Sequence, residues 1–150
     1  MEYKFNNLSK SPYLEQVIKL DQNFFNEPWS NQSWEEAKSN SALYLSLFLE
    51  HNIVKAFSLY HFSNLENLAH LYKILVLPEF RSQGLASEMV KRDIENLQML
   101  GSLESIFLEV STSNTNAIAL YEKLGFNRLT LKRSFYTNGH DAYAMQRLID

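Results

Sequence analysis

The chain has 150 residues, 45% of them hydrophobic and 21% charged, with 14 basic and 17 acidic side chains and a formal charge of −3. That length suits one domain over residues 1–150 with a sizeable core, and the acidic balance argues against nonspecific nucleic-acid binding, which needs a basic face. No cysteine is present, which excludes disulfides, a thiolate metal site and a cysteine nucleophile. The first residues lack an apolar signal core, and no apolar run approaches the roughly 18 residues of a membrane span. The expectation is a cytoplasmic protein with neither a membrane nor a nucleic acid as partner.

Residues 12–25 place Leu14, Val17, Ile18, Phe24 and Phe25 at near-helical spacing, with Pro12 suited to a first turn. Glu27-Pro28-Trp29 breaks that helix, and Asn31-Gln32-Ser33 supplies caps for a short helix to about Asn40. Residues 42–50 and 53–62 predict strands joined by a tight turn at His51-Asn52, and a third strand covers about 68–77. After Gly84, a stripe of Leu85, Ala86, Met89, Val90, Ile94, Leu97 and Leu100 predicts a helix that Gly101 can end. Ser105–Val110 is a short apolar strand interrupted by Glu109, and residues 115–124 form a further helix. A strand over 126–135, the hairpin signal Asn138-Gly139 and a last strand over about 141–148 complete the chain. The strand–helix–strand unit over 71–110 requires a parallel pair with a right-handed crossover. The expected fold class is α/β, a mixed sheet with helices on both faces.

Gly84 has no side chain, so a ligand can approach the backbone there. The first amide hydrogens of the helix that follows lack internal acceptors and favour an anion. Arg-x-x-Gly-x-Ala alone fits an ordinary turn equally well. Two separated motifs narrow the choice. Arg81–Ala86 resembles the pyrophosphate-binding signature Gln/Arg-x-x-Gly-x-Gly/Ala of the GNAT superfamily of acetyl-CoA-dependent N-acetyltransferases. Residues 108–127, LEVSTSNTNAIALYEKLGFN, resemble the strand, Asn-containing loop and helix of the same superfamily. Pro28-Trp29-Ser30, Lys132–Tyr136, Asn138-Gly139 and Asp141-Ala142 are similar to its branch that acetylates the N-terminal alanine of a ribosomal protein. Glu27 departs from the Phe common before that Pro-Trp, and Phe135-Tyr136 from a Tyr-Tyr pair. The resemblance implies the GNAT fold with about seven strands and acetyl-CoA as cosubstrate. It also implies a protein or peptide N-terminus, such as that of a ribosomal protein, as acceptor.

Without cysteine, direct attack of an amine on the thioester in a ternary complex is the simplest chemistry. Glu109 is the candidate base. Strand alternation sets it opposite Leu108 and Val110, and partial burial is expected to raise its pKa. The alternative is a strand-end carboxylate facing water. Tyr121 is the candidate acid, or else a core aromatic. A phenol near 10 gives its proton to a thiolate near 8.5 only uphill, so hydrogen bonding to developing charge is its safer role. Asn114 can cap its helix.

By resemblance, Asn114 also touches the pantetheine arm and Leu75, Val76 and Leu77 offer it backbone groups. Ser82, Gln83, Gly84, Leu85, Ala86 and Ser87 supply the phosphate amides, and Arg81 adds charge or is simply solvated. Glu27, Pro28, Trp29, Phe135 and Tyr136 flank the acceptor cleft. An α-amine near 7.7–8.0 is neutral far more often at pH 7 than a lysine near 10.4, which favours a protein N-terminus. A small amine or a lysine side chain is the rival acceptor, and a CoA-binding regulatory module without turnover is the rival class. His51, His61, His70 and His140 lack metal-site spacing and read as surface or strand residues, so no metal is expected.

Overall fold

The computed structural model describes residues 1–150. Its strands are β1 (Glu2–Asn7), β2 (Leu43–Glu50), β3 (Ile53–Ser63), β4 (Leu68–Val76), β5 (Ser105–Ser111), β6 (Asn127–Lys132) and β7 (Ala142–Leu148). Its helices are α1 (Leu14–Phe24), α2 (Asn31–Lys38), α3 (Leu85–Leu100) and α4 (Thr115–Lys123). The strands make one sheet in the order β1-β2-β3-β4-β5-β7-β6. Every pairing is antiparallel except β4 with β5, the pair that α3 crosses over.

Both faces of the sheet are covered, which explains why β2 and β3 are apolar almost throughout rather than alternating. Leu14 and Val17 of α1 and Trp34 and Ala37 of α2 pack with Leu45, Leu47, Phe57 and Leu59 on one face. Val90, Ile94 and Leu97 of α3 and Ile118 and Tyr121 of α4 pack with Tyr60, Leu71, Ile106 and Leu108 on the other. No helix is long and apolar enough to cross a membrane.

The expected α/β sheet is present, with differences at its ends. β1 was not expected. Tyr3 and Phe5 are its only large apolar residues, and it holds an edge by pairing with β2. α1 starts at Leu14, two residues after Pro12. The cap of α2 is Ser30, whose hydroxyl accepts from Ser33 N–H at 3.0 Å, not the Asn31–Ser33 run. His51 and Asn52 do form a two-residue turn, both with positive φ. β6 stops at Lys132, short of Phe135, because a wide loop over 133–141 replaces a tight hairpin. Within it the Asn138-Gly139 signal closes a local turn, Gly139 N–H donating to Tyr136 O at 2.9 Å. Gly101 ends α3 by close packing: a Cβ there would lie 2.5 Å from Asn64 Oδ1.

Two irregularities shape the centre of the sheet. In β4, Tyr72 has no partner in β3, since Tyr60 pairs with Leu71 and Leu59 with Lys73. Such a bulge bends and twists its strand, and it turns Tyr72 and Lys73 toward the same face. Beyond it, β4 and β5 separate. They pair only at Leu68–Ser105, Ala69–Ile106 and His70–Phe107. The rest of β4 toward Val76, and of β5 toward Ser111, borders an open gap.

Candidate active site

The gap opens at the carboxyl ends of two parallel strands, where open α/β sheets place ligands. Its far end is the loop between β4 and α3. Gly84 has φ +76°, and nothing lies within 4 Å of the position a Cβ would take. The first bond of α3 runs from Glu88 N–H to Gly84 O at 3.0 Å. The N–H groups of Ser82, Gln83, Gly84, Leu85, Ala86 and Ser87 donate to nothing in the chain. These free donors lie at the positive end of a 16-residue helix, which is the donor set a diphosphate requires. The residues present therefore fit the diphosphate of a CoA ester. Arg81 is neither free nor merely solvated, for its Nε donates to Val76 O at 2.8 Å and ties the loop to the end of β4.

That geometry corrects one expectation. Leu77 has no free backbone group, because its N–H donates to Lys55 O at 3.0 Å and its carbonyl accepts from Phe80 N–H at 2.9 Å. By alternation Leu75 also turns its amide toward β3, and Ile74 and Val76 turn theirs toward the gap. Val76 O is taken by Arg81, so Val76 N–H remains. Across the gap Asn114 caps α4, its Oδ1 accepting from Ala117 N–H at 3.2 Å.

Glu109 lies two residues beyond Phe107, the last residue of β5 that pairs with β4, on the face away from α3 and α4. Its side chain is 12% exposed, and it receives His70 Nε2 at 2.7 Å and Lys132 Nζ at 3.4 Å. The pKa expectation is overturned. Burial does push the carboxyl up, but the hydrogen bond and charge of His70 outweigh it together with Lys132, and Glu109 is held below the usual carboxylate range. His70, which spacing left as an ordinary strand residue, is thus part of the site. So is Lys132, at the end of β6.

Tyr121 is buried in the core and meets Phe126 edge-on at 5.8 Å. Its hydroxyl has no partner in the chain, yet it is not sealed from solvent. Burial pushes its pKa well up, with the nearby Tyr136 adding to the shift. Tyr136 in the β6–β7 loop feels burial first, then the charges of Glu109 and Glu27, and its pKa is raised. This one loop residue is therefore coupled electrostatically to Glu109, Tyr121 and Glu27.

The wall formed by Phe25–Ser30 is held at two points. Outside, Glu27 accepts from the Thr137 hydroxyl and from Asn138 N–H at 3.3 Å, clipping the α1–α2 loop to the β6–β7 loop. The Thr137 hydrogen bond is the main reason its carboxyl sits below the usual range. Inside, Asp21 is fully buried and accepts from Lys73 Nζ at 2.6 Å, Trp29 N–H at 2.8 Å and Trp34 Nε1 at 3.1 Å. The Lys73 ammonium also lies 4.5 Å from the Phe25 ring centre and 5.3 Å from that of Trp29. Pro28 is exposed between these anchors. Phe135 is exposed beside Tyr136, edge-on at 5.0 Å. Contacts thus run from Glu27 to the loop that carries Tyr136, and from Trp29 through Tyr72 and His70 to Glu109.

A sequence cue to the Asp21–Lys73 pair exists. Asp21 falls on the buried stripe of α1 four residues after Val17, and Lys73 interrupts an apolar strand. Asp93 carries the same cue in α3. It is fully buried and accepts only from hydroxyls, Tyr3 at 2.6 Å, Ser58 at 2.7 Å and Tyr60 at 3.0 Å.

A helix-start anion cradle, a gap between splayed parallel strands and a carboxylate at its inner end define an acyl-CoA-type transferase fold. Residues 13–126 match the family described as the Acetyltransferase (GNAT) family. The chain belongs to that family. It is 36% identical over 117 residues to the ribosomal protein bS18-alanine N-acetyltransferase of Escherichia coli, covering 76% of each chain. It is 38% identical over 92 residues to an N-alpha-acetyltransferase of Saccharolobus solfataricus, covering 57% of this chain but only 55% of that protein. The crystal structure of the ribosomal-protein-alanine N-acetyltransferase of Escherichia coli superposes with a TM-score of 0.83 at 28% identity, covering 99% of this chain and 95% of that one.

Proposed function

We propose that this chain transfers an acetyl group from acetyl-CoA to the N-terminal α-amine of a protein or peptide, a ribosomal protein being the favoured acceptor. The observation that carries the reading is the set of free amides at Gly84, at one end of a gap between β4 and β5 that Glu109 borders. The named activities of the Escherichia coli and Saccharolobus relatives support it. We read residues 1–150 as one catalytic domain acting in the cytoplasm.

Acetyl-CoA supplies the acyl thioester. The Gln83–Ser87 amides and Val76 N–H hold and align the bound cosubstrate. As the C–N bond forms and the C–S bond breaks, one proton must leave the acceptor nitrogen and one must reach sulfur. Glu109, held below the usual carboxylate range, is too weak a base to take a proton outright from an α-ammonium near 8. Its role is therefore to order water and, through the 2.7 Å contact with His70, to orient that ring. Tyr121 binds its own proton more tightly than an exposed phenol, so it donates a hydrogen bond to charge growing on sulfur and keeps its proton, while water takes the proton from nitrogen and protonates the departing thiolate. Trp29, Pro28, Phe135 and Tyr136 form the walls between which the acceptor lies, with Glu27 holding them together.

Mass spectrometry of matched peptides with free and blocked N-termini, mixed with acetyl-CoA, tests the reading. It predicts one added acetyl group on the free α-amine and none on the blocked peptide. Acetylation of lysine side chains or small amines only, or of nothing, would overturn it.

A further inference from the structure

Beside the acceptor cleft lies a hollow of about 290 Å³ lined by Trp29, Ser33, Glu36, Ala37, Asn40, Leu43 and Tyr72. Two of its walls belong to the cleft. Trp29 is one side of the acceptor wall. Tyr72 is the bulged residue of β4, and its ring lies 4.6 Å from that of His70, the partner of Glu109. The Trp29 and Tyr72 rings meet nearly perpendicular, at 61° and 5.8 Å, and form an aromatic corner.

Opposite that corner stands Glu36 on α2. Its neighbour Glu35 is paired with Lys38 at 2.7 Å, but Glu36 has no cation and is held only by Gln32 Nε2 at 3.2 Å. No lysine, arginine or histidine lines the hollow. Lys73 approaches Trp29 from the buried side, and Asp21 at 2.6 Å cancels its charge. The other large hollow, between α1 and α2, contrasts with this. It is lined by Glu15 and Glu35 but also by Lys19 and Lys38, so it favours neither sign.

An uncompensated carboxylate facing two aromatic rings is complementary to a cation on an apolar stem. We infer that this hollow is a subsite for a basic side chain, arginine or lysine, carried by the acceptor shortly after its reactive N-terminus. The inference rests on the reading of the cleft as a peptide acceptor site and adds a substrate class to it. The chain of contacts from Glu109 through His70 and Tyr72 puts the hollow roughly 10 Å from the carboxylate, the reach of about three extended residues. The occupant is therefore the second, third or fourth residue of the acceptor.

The test uses matched peptides with arginine, its neutral isostere citrulline, or glutamate at each of those positions. Initial rates with acetyl-CoA are measured, and the same peptides are titrated into the enzyme–CoA complex by calorimetry. At one position, arginine is expected to exceed citrulline by about threefold to fivefold in both kcat/KM and affinity at low salt, and by less at high salt. Glu36→Gln should bring that ratio close to one while leaving the citrulline peptide and acetyl-CoA binding unchanged. Glu36→Lys should turn the preference toward glutamate. Glu36 is exposed on α2, so these variants keep the fold. Equal arginine and citrulline values at all three positions, or a ratio that survives Glu36→Gln, would overturn the subsite. Peptide binding without any product would defeat the transfer reading alone, because the calorimetric ratio still decides the subsite.

Discussion

Replacing Asp21 by asparagine should do more damage than any exposed substitution in the chain. Asp21 is wholly buried and Lys73 is 5% exposed, with 2.6 Å between them. Asparagine keeps an oxygen for the Trp29 and Trp34 donors and removes only the negative charge. The Lys73 ammonium is then buried without a counter-charge, a change that costs about 3–5 kcal/mol. For a domain of this size that corresponds to a fall of about 6–20 °C in Tm. Burial already lowers the pKa of Lys73, with Asp21 opposing the shift. Without Asp21 the proton is shed more readily, so the loss should shrink as pH rises. Urea denaturation of wild type, Asp21→Asn, Lys73→Met and the double variant measures all of this. The double variant, which buries no charge at this pair and still satisfies both Trp donors, should recover at least about 2 kcal/mol relative to the sum of the single losses. A loss below about 1 kcal/mol, or strict additivity of the two substitutions, would refute the reasoning.

Glu109→Gln and Tyr121→Phe should each lower turnover at least tenfold, about 1.4 kcal/mol of barrier, with CoA affinity nearly intact, as read by single-turnover assay and calorimetry. Wild-type rates in both would remove them from the chemistry. The pH dependence of stability should show two opposed contributions. Glu109 is depressed below 4.5 in the fold, so its contribution is present above that value and is lost as pH falls through its lower folded value. Asp93 is raised from 3.8, by burial against the hydrogen bonds of its hydroxyl donors, so its contribution is present at lower pH and is lost as pH climbs from there through its folded value. Stability titrations should therefore lose acid sensitivity in Glu109→Gln and gain stability toward neutral pH in Asp93→Asn; slopes of the reverse sign would contradict both assignments. Glu27→Ala unclips the two loops, and should weaken acceptor peptides several-fold while Tm hardly moves, because that contact is open to solvent. An unchanged acceptor KM would show that the clip does not shape the cleft.

Much of the fold was legible because its signals are periodic. The helical stripe after Gly84 and the apolar runs of 42–50, 53–62 and 105–110 report burial directly, and each lies within a residue or two of an observed element. β1 carries no such signal. Six residues with two aromatics form a strand only because β2 offers a free edge, and that is a tertiary fact. The wide β6–β7 loop hid for a related reason: Asn138-Gly139 does make a turn, but the bond of Thr137 to Glu27, 110 residues away, sets the span of the loop.

For the site, the motifs located Gly84, Glu109 and Tyr121. They could not show which amides face the gap, since the strand phase that occupies the Leu77 N–H and turns the Val76 N–H toward the gap is set by pairing with β3. His70 stayed hidden because its importance comes from lying across a parallel pair from Glu109. The pKa of Glu109 failed for the same reason. Burial could be read from the strand, but the cations that overcome it come from β4 and β6.

The central claim, that the unpaired amides around Gly84 hold the diphosphate of a CoA ester, is tested most directly by calorimetry of acetyl-CoA against wild type and Gly84→Val. Valine at a positive φ of 76° strains the turn and sets two methyl groups in the space now open above the amides. The account predicts saturable binding by wild type below about 1 mM and at least a tenfold weakening in a Gly84→Val protein that still unfolds cooperatively. No heat at millimolar acetyl-CoA, or equal affinity in the two proteins, would contradict it.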